Sequence, residues 1–255
     1  MTVKELYNAL NERIPQSLSC AWDNDGLMCC PDGSRAARRV LVTLDVTSDA
    51  VEYAISGGFD LIVSHHPLIF KGLKSVGEDD HIAAKAIDLI RNGISVMSFH
   101  TRLDAVEGGV NDTLAELLGL CHVELLISAD GAIGRVGVLP APMELSDFAR
   151  LVKARLSAPY VLCAEGGGKA YRVALLGGEG GDDLDAAVLA GADTYISGRI
   201  GYHKMTDAPE LGINLIEAGH FYTEYPVCET LVKMISEIDA DISAEIYYSN
   251  KIAAV

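Results

Sequence analysis

Five of the chain's seven histidines stand just past short apolar runs that read as strands: His65, His66, His100, His203 and His220. Two of these runs end in the same spacing, a histidine and then a carboxylate four residues on. In ISVMSFHTRLD the pair is His100 and Asp104; in INLIEAGHFYTE it is His220 and Glu224. Imidazole and carboxylate together suit a borderline divalent ion such as zinc, iron or manganese. His65, His66, Asp104, His220 and Glu224 are more donors than one tetrahedral ion uses, whereas two ions about 3.5–4 Å apart, bridged by one carboxylate, use them all. An adjacent His-His pair or a lone His-x-x-x-Glu is weak by itself. The weight lies in the convergence of these residues on strand ends, where open α/β sheets bind ligands.

His100 and His203 have three open roles: ligands, residues that orient ligands, or acid/base catalysts. The last two fit equally well. Two divalent ions against two carboxylates leave the site locally positive, attractive to phosphate or another oxyanion. His81 and His122 read as solvated, and Asp79-Asp80 as a helix start.

The elements that must position these groups alternate between strand and helix. Strands are expected at Val40–Leu44, Leu61–Val63, Ile94–Ser98, Val173–Leu176, Thr194–Ile196, Ile213–Ile216 and Ala244–Tyr248. Helices are expected at Thr47–Ser56, His81–Arg91, Met143–Leu156, Leu184–Leu189 and Pro226–Ile238, several of them closed by Gly or Asn as C-terminal caps require. Residues 121–140 read as less regular. Apolar strands without alternation, interleaved with helices, predict α/β units with mostly parallel sheets covered on both faces.

The order of elements repeats. RRVLVTLDVTSDAVEYAISGGFDLIVS aligns without a gap on YRVALLGGEGGDDLDAAVLAGADTYIS, so that Arg39 meets Arg172, Gly58 meets Gly191, Asp60 meets Asp193 and Ser64 meets Ser197. The first copy carries extra residues around PLIFKGLKSVGED before its histidine and acid. The expectation is a duplicated three-layer α/β/α architecture, with halves at 1–130 and 131–255 packed intimately and the metal site between them. Gly177-Gly178-Glu179-Gly180-Gly181 is not G-x-G-x-x-G. It reads as a tight turn before a helix capped by its own Asp, which disfavours dinucleotide binding.

Acidic residues outnumber basic ones 36 to 20, a formal charge of −16 that argues against a nucleic-acid partner. No apolar run approaches the roughly 20 residues of a membrane helix. The first segment is an amphipathic helix without the apolar core of a secretory signal. Six cysteines without a C-x-x-C pair read as reduced thiols, and a cytoplasmic location is expected.

The segments WDNDGL (22–27), SHHPLIF (64–70), SFHTRLDA (98–105) and SGRIGYHKMTDAPELGINLIEAGHFYTE (197–224) resemble, in this order and over essentially the whole chain, the NIF-three-like dinuclear-metal-centre proteins, a family widely called GTP cyclohydrolase 1 type 2. The resemblance implies that His66 and Asp104 hold one ion, His65 and His220 the other, and that Glu224 bridges them. It implies a homohexamer built as a trimer of dimers, without the extra domain some members insert, and a metal-dependent hydrolase that opens the guanine ring of GTP and releases formate. His100 or His203 would then shuttle protons, and Arg102, Arg199 or Lys204 would hold the triphosphate. A phosphoester hydrolase, or a non-enzymatic metal-binding scaffold, is the rival reading of the same centre. Arg102 and Arg199 stand where relatives often have Asn and an acidic residue, so substrate preference is not simply inherited.

Overall fold

The structure, a computed structural model, describes residues 1–129 and 131–254. The chain forms two units. The first comprises Met1–Leu103 and Cys228–Lys251; the second comprises Asp104–Val227 and the last residues of the chain.

The first unit opens with α1 (Val3–Arg13), β1 (Gly26–Cys29), β2 (Arg39–Thr43), α2 (Ser48–Gly57), β3 (Leu61–Ser64), α3 (His81–Arg91) and β4 (Ser95–Ser98); the short α4 (Thr101–Ala105) then carries the chain into the second unit. That unit runs α5 (Val110–Leu118), β5 (Cys121–Ser128), β6 (Gly131–Met143), α6 (Leu145–Arg155), β7 (Leu162–Ala164), β8 (Ala170–Glu179), α7 (Leu184–Leu189), β9 (Thr194–Arg199), α8 (Tyr202–Thr206), α9 (Ala208–Leu211), β10 (Asn214–Glu217) and α10 (His220–Glu224). Finally α11 (Val227–Ile238) and β11 (Ser243–Tyr247) return to the first unit. The division therefore does not fall at residue 130. β11 pairs in parallel with β2, Ala244 opposite Val40, and the backbone ladder draws the C-terminal segment back.

The first sheet has the order β1-β4-β3-β2-β11 and is parallel except for edge strand β1. β3 and β4 are buried at every residue, as strands covered on both faces must be. Leu41, Ile62 and Val96 meet Val51 and Ala54 of α2 and Leu89 of α3 on one face. The local signals act as read. Thr47 caps α2 by accepting from the Ala50 amide, Gly58 closes it at φ 66°, and Asp80 caps α3 through the Ile82 and Ala83 amides.

The second sheet has the order β5-β6-β8-β9-β10-β7. It is parallel through β8-β9-β10 and antiparallel on both flanks. Val173, Leu175, Ile196 and Ile216 pack under α5 and α6, while Ala174, Leu176, Tyr195 and Leu215 face Leu184 and Ala187 of α7. This gives helix, sheet and helix layers. Residues 121–140, expected to be irregular, form most of the long antiparallel pair β5-β6. Glycines at 131, 134 and 137 depress strand propensity there, and β5 leaves Val123, Leu125 and Ile127 exposed on its outer face, so no inside/outside alternation marked it.

The duplication is physical. In each unit an antiparallel edge strand (β1, β7) flanks three parallel strands in the same spatial order, β4-β3-β2 and β10-β9-β8. The aligned aspartates make the same bonds. Asp60 accepts from the Arg38 and Arg39 amides, both at 3.0 Å. Asp193 accepts from Tyr171 at 2.9 Å and Arg172 at 2.8 Å. Burial pushes the Asp60 carboxyl up, but the amides and the Arg35 ion pair at 2.8 Å outweigh it and hold the pKa below the usual value. Asp60→Ala should cost about 1–3 kcal/mol at neutral pH in urea unfolding. A depressed pKa gives stability that is full above the unfolded value near 4 and lost as pH falls through the folded one. The gap between wild type and variant should accordingly shrink with acidification; a pH-independent gap would show that the carboxylate charge is not what the amides hold.

Candidate functional site

In the first unit β3 ends at Ser64 and is followed directly by His65 and His66, and β4 ends two residues before His100. The three imidazoles present ligand atoms within 4.8 Å of one another. Each ring is fixed through Nδ1. His65 Nδ1 lies 2.9 Å from the Phe99 carbonyl, His66 Nδ1 2.7 Å from Asp45 Oδ1, and His100 Nδ1 2.8 Å from Asp23 Oδ1. A carbonyl or an ionised carboxylate can only accept, so Nδ1 of each ring carries a proton, and in the neutral ring the lone pair is on Nε2. Oxygen-anchored imidazoles with parallel tautomers are how proteins present histidines to a metal.

Asp23 is suited to that task. Burial pushes its carboxyl up, but hydrogen bonds from His100 and Thr101 outweigh this and pull the pKa to about 2. It also binds the Thr101 amide at 3.1 Å and hydroxyl at 2.7 Å, which fixes the start of α4. Asp45 likewise holds Ser249 Oγ at 3.2 Å through its second oxygen. Neither aspartate was singled out from sequence. Asp23 lies inside the WDNDGL segment, and Asp45 follows a strand end, the same signal that picked out the histidines.

In the second unit the acids gather. His220 Nε2 lies 3.0 Å from Glu224 Oε2, one helical turn apart on α10. Asp104 and Glu224 are both buried and bring carboxylate oxygens within 4.8 Å of each other. Two buried like charges this close are costly unless a cation lies with them. The end of β8 is shaped around this group. A Cβ on Gly178 (φ +70°) would overlap Glu224 Oε1 and lie 3.3 Å from His220 Nε2; one on Gly198 would lie 2.7 Å from His220 Cα. The Gly178 amide donates to Thr223 Oγ1 at 3.0 Å, tying α10 to the strand. Buried Asn111 accepts from the Gly177 amide at 2.8 Å and donates to the Asp104 carbonyl at 3.2 Å.

The donor set of each unit therefore fits divalent-ion binding: imidazoles anchored through Nδ1, with Nε2 the ring nitrogen a metal would take, in the first, and paired buried carboxylates with an imidazole in the second.

The other expected site residues are placed differently. Arg102 is fully buried in the first unit, with Nε 2.8 Å from Asp25 Oδ2, Nη1 on Asn11 and on the Ile14 carbonyl at 3.0 Å, and its guanidinium 4.5 Å from the Phe99 ring centre. A guanidinium committed in this way is not offered to a triphosphate. Arg199 is exposed at the end of β9, 3.9 Å from Glu179, and Lys204 on α8 is 3.2 Å from Asp182. His203, also on α8, is exposed, and its ring contacts Tyr202. His81 and His122 are exposed, as read. Gly177 and Gly178 belong to β8 rather than to a turn, and Asp183 precedes α7 without a side-chain cap bond. Among the described residues no helix is long and apolar enough to cross a membrane.

Comparison with known proteins places this arrangement. Residues 1–253 match the family described as Duf34/NIF3 (NGG1p interacting factor 3). A GTP cyclohydrolase 1 type 2 homolog of Clostridium perfringens is 32% identical over 248 residues, 95% of this chain and 94% of that one. A protein NIF3 homolog of Schizosaccharomyces pombe is 32% identical over 238 residues, 87% of this chain and 82% of the relative. A hypothetical protein of Staphylococcus aureus shares the fold with a TM-score of 0.91 at 28% identity, covering 100% of this chain and 99% of the other.

Proposed function

Since this chain belongs to the Duf34/NIF3 family, we propose that it is a dinuclear metal-dependent hydrolase acting on a GTP-like nucleotide, by water addition to the guanine ring and release of formate. The observation that carries the reading is the set of three imidazoles whose Nδ1 atoms are all tied to oxygen, so that Nε2 of His65 and His66 is the nitrogen that would meet a metal and Nε2 of His100 the one that would exchange a proton. The names of its relatives supply the substrate.

In this reading, which follows the family resemblance, His66 and Asp104 would hold one ion, His65 and His220 the other, and Glu224 would serve as a further carboxylate ligand. When bound, two such ions would supply Lewis acidity and a water of lowered pKa. The protein's own residues do the rest. Asp45 and the Phe99 carbonyl keep the His66 and His65 rings in one tautomer. Asp23 holds the Nδ1 proton of His100, so that Nε2 takes a proton from water and returns it to the leaving nitrogen. Arg199 and Lys204 remain candidates for the phosphate tail; Arg102 does not. The same reading carries a cytoplasmic homohexamer, which sedimentation velocity tests.

The test of the reading is metal content by plasma emission on anaerobically purified protein, followed by a GTP-to-formate assay on the same sample. Close to two ions per chain with formate released is the expected outcome. Two ions without formate would keep the centre and remove GTP as substrate; protein without metal would overturn the reading.

A further inference from the structure

The first unit carries a feature that its duplicated fold does not require. In the second copy β9 is followed almost at once by α8, whereas in the first copy residues 65–80 intervene between β3 and α3. This addition lines an open cleft of about 510 Å³ with Leu68, Phe70, Lys71, Lys74, Asp80 and Ile82, among others. The volume lies in the range that small-molecule sites occupy.

Three properties of the cleft indicate what would enter it. Lys71 and Lys74 are both exposed, and among the described residues neither forms an ion pair. In a chain of formal charge −16, two exposed lysines three residues apart on one cleft lining make a local concentration of positive charge. The acid on the lining, Asp80, is occupied by the Ile82 and Ala83 amides at 2.8 and 2.9 Å, so its charge is partly met by the start of α3.

Beside the lysines the lining carries one aromatic ring, Phe70, which Trp22 meets from outside the lining. Phe70 is 45% exposed and Trp22, the chain's one tryptophan, 54% exposed. The Phe70 ring stands edge-on to His100 at 5.9 Å, and Trp22 edge-on to Phe70 at 6.2 Å and to His100 at 6.3 Å. Exposed rings of this size are costly on a surface that meets only water, and they offer faces for stacking. The arrangement is tethered, since Asn24 Nδ2 donates to the Ile69 carbonyl at 2.5 Å, fixing the loop to the segment that carries Trp22 and Asp23. Aromatic faces thus connect the histidine cluster to the two lysines within one unit.

We propose that loop 67–75 is a substrate subsite, in which Phe70 and Trp22 take a planar heteroaromatic ring next to His100 while Lys71 and Lys74 take its phosphate-type tail. The subsite rests on the hydrolase reading for its purpose, but its binding chemistry is independent of the metals. The tail is then held by the first unit's loop rather than by Arg199 or Lys204.

The test is calorimetric titration of the full chain with three probes: guanosine for the ring, inorganic tripolyphosphate for the tail, and GTP for both. Lys71→Ala/Lys74→Ala should weaken tripolyphosphate and GTP about tenfold and leave guanosine unmoved, with Lys71→Arg/Lys74→Arg restoring most of the affinity. Phe70→Ala should weaken guanosine and GTP and leave tripolyphosphate unmoved. A double lysine variant that stays folded by circular dichroism and binds GTP within about twofold of wild type would overturn the subsite, as would a wild type that binds none of the probes. Metal content on the same samples separates the two ideas. Wild type with two ions and formate release, but lysine-independent GTP affinity, removes the subsite alone. Metal-free wild type whose binding depends on the lysines supports the subsite and removes the hydrolase.

Discussion

Arg102→Met is expected to destabilise the protein by about 3–5 kcal/mol, because it strips a buried carboxylate of its guanidinium. Arg102 and Asp25 are both fully buried, 2.8 Å apart. In the variant Asp25 keeps the Gln16 amide nitrogen at 2.8 Å and the Ser19 hydroxyl at 3.1 Å, but no cation. Asn11 and the Ile14 carbonyl lose their donor together. For a chain of this size the loss corresponds to roughly 6–20 °C in the melting temperature, readable by calorimetry. Arg102→Lys should recover only part of it, since an ammonium cannot reproduce a fork that spans Asp25, Asn11 and a carbonyl. Asp25 Oδ2 also accepts from the His100 amide at 3.2 Å, so the pair fixes the backbone from which His100 projects. A residue that held a triphosphate would behave oppositely, raising the KM with the melting temperature unchanged. That result would return Arg102 to the substrate.

How far this could be read from the sequence depends on the range of the interaction. Local signals were legible. α3 runs over His81–Arg91 as its cap and glycine require, and Gly58 closes α2. The strand-end histidines were legible because a polar, metal-competent side chain at the end of an apolar run has few structural reasons to be there. Long-range pairing was not. Asp23 and His100 are 77 residues apart, Asp45 and His66 21 apart. Nothing in either neighbourhood states that one will anchor the other. Arg102 misled for the same reason. A cation two residues from a donor histidine resembles a substrate contact until Asp25, Asn11 and Phe99 close around it. β5 and β6 were missed because exposed Val123, Leu125 and Ile127 remove the alternation by which a half-buried strand is recognised.

The two copies also show how one strand end serves two purposes. Ser64-His65-His66 aligns with Ser197-Gly198-Arg199, and the backbone equivalence is exact at the following strands: the Phe99 amide bonds the Ser64 carbonyl, and the Ala218 amide bonds the Ser197 carbonyl, each at 2.9 Å. In the first copy this end bears imidazoles. In the second, a side chain at Gly198 would collide with His220 Cα and Thr223 Oγ1, both 2.7 Å from its Cβ position, so the end is bare and α10 lies directly on it. One residue more in the second copy, Gly219 at φ 87°, makes that approach possible. The first copy therefore presents donors from its strands, and the second from a helix that its glycines admit.

That division makes Gly178→Ala the sharpest separation of site from fold. The added methyl would overlap Glu224 Oε1, the far end of a flexible side chain rather than backbone, and the residue sits at φ +70°. The fold should lose only the roughly 1–2 kcal/mol of a left-handed alanine, because the carboxylate can swing away. Swinging away is what a ligand cannot do. With Glu224 displaced, its 3.0 Å contact with His220 breaks and its approach to Asp104 is lost. Metal retained after dialysis should fall by at least about tenfold, as it does when groups that orient ligands are changed. The Glu224→Ala variant should match it in metal content with a melting temperature closer to wild type, since it removes the carboxylate without straining the backbone. A Gly178→Ala protein that keeps its full metal content would mean that Glu224 is not a ligand. Parallel loss in the two variants, with the folds intact, would assign the glycine at the end of β8 to the centre as firmly as the carboxylate it makes room for.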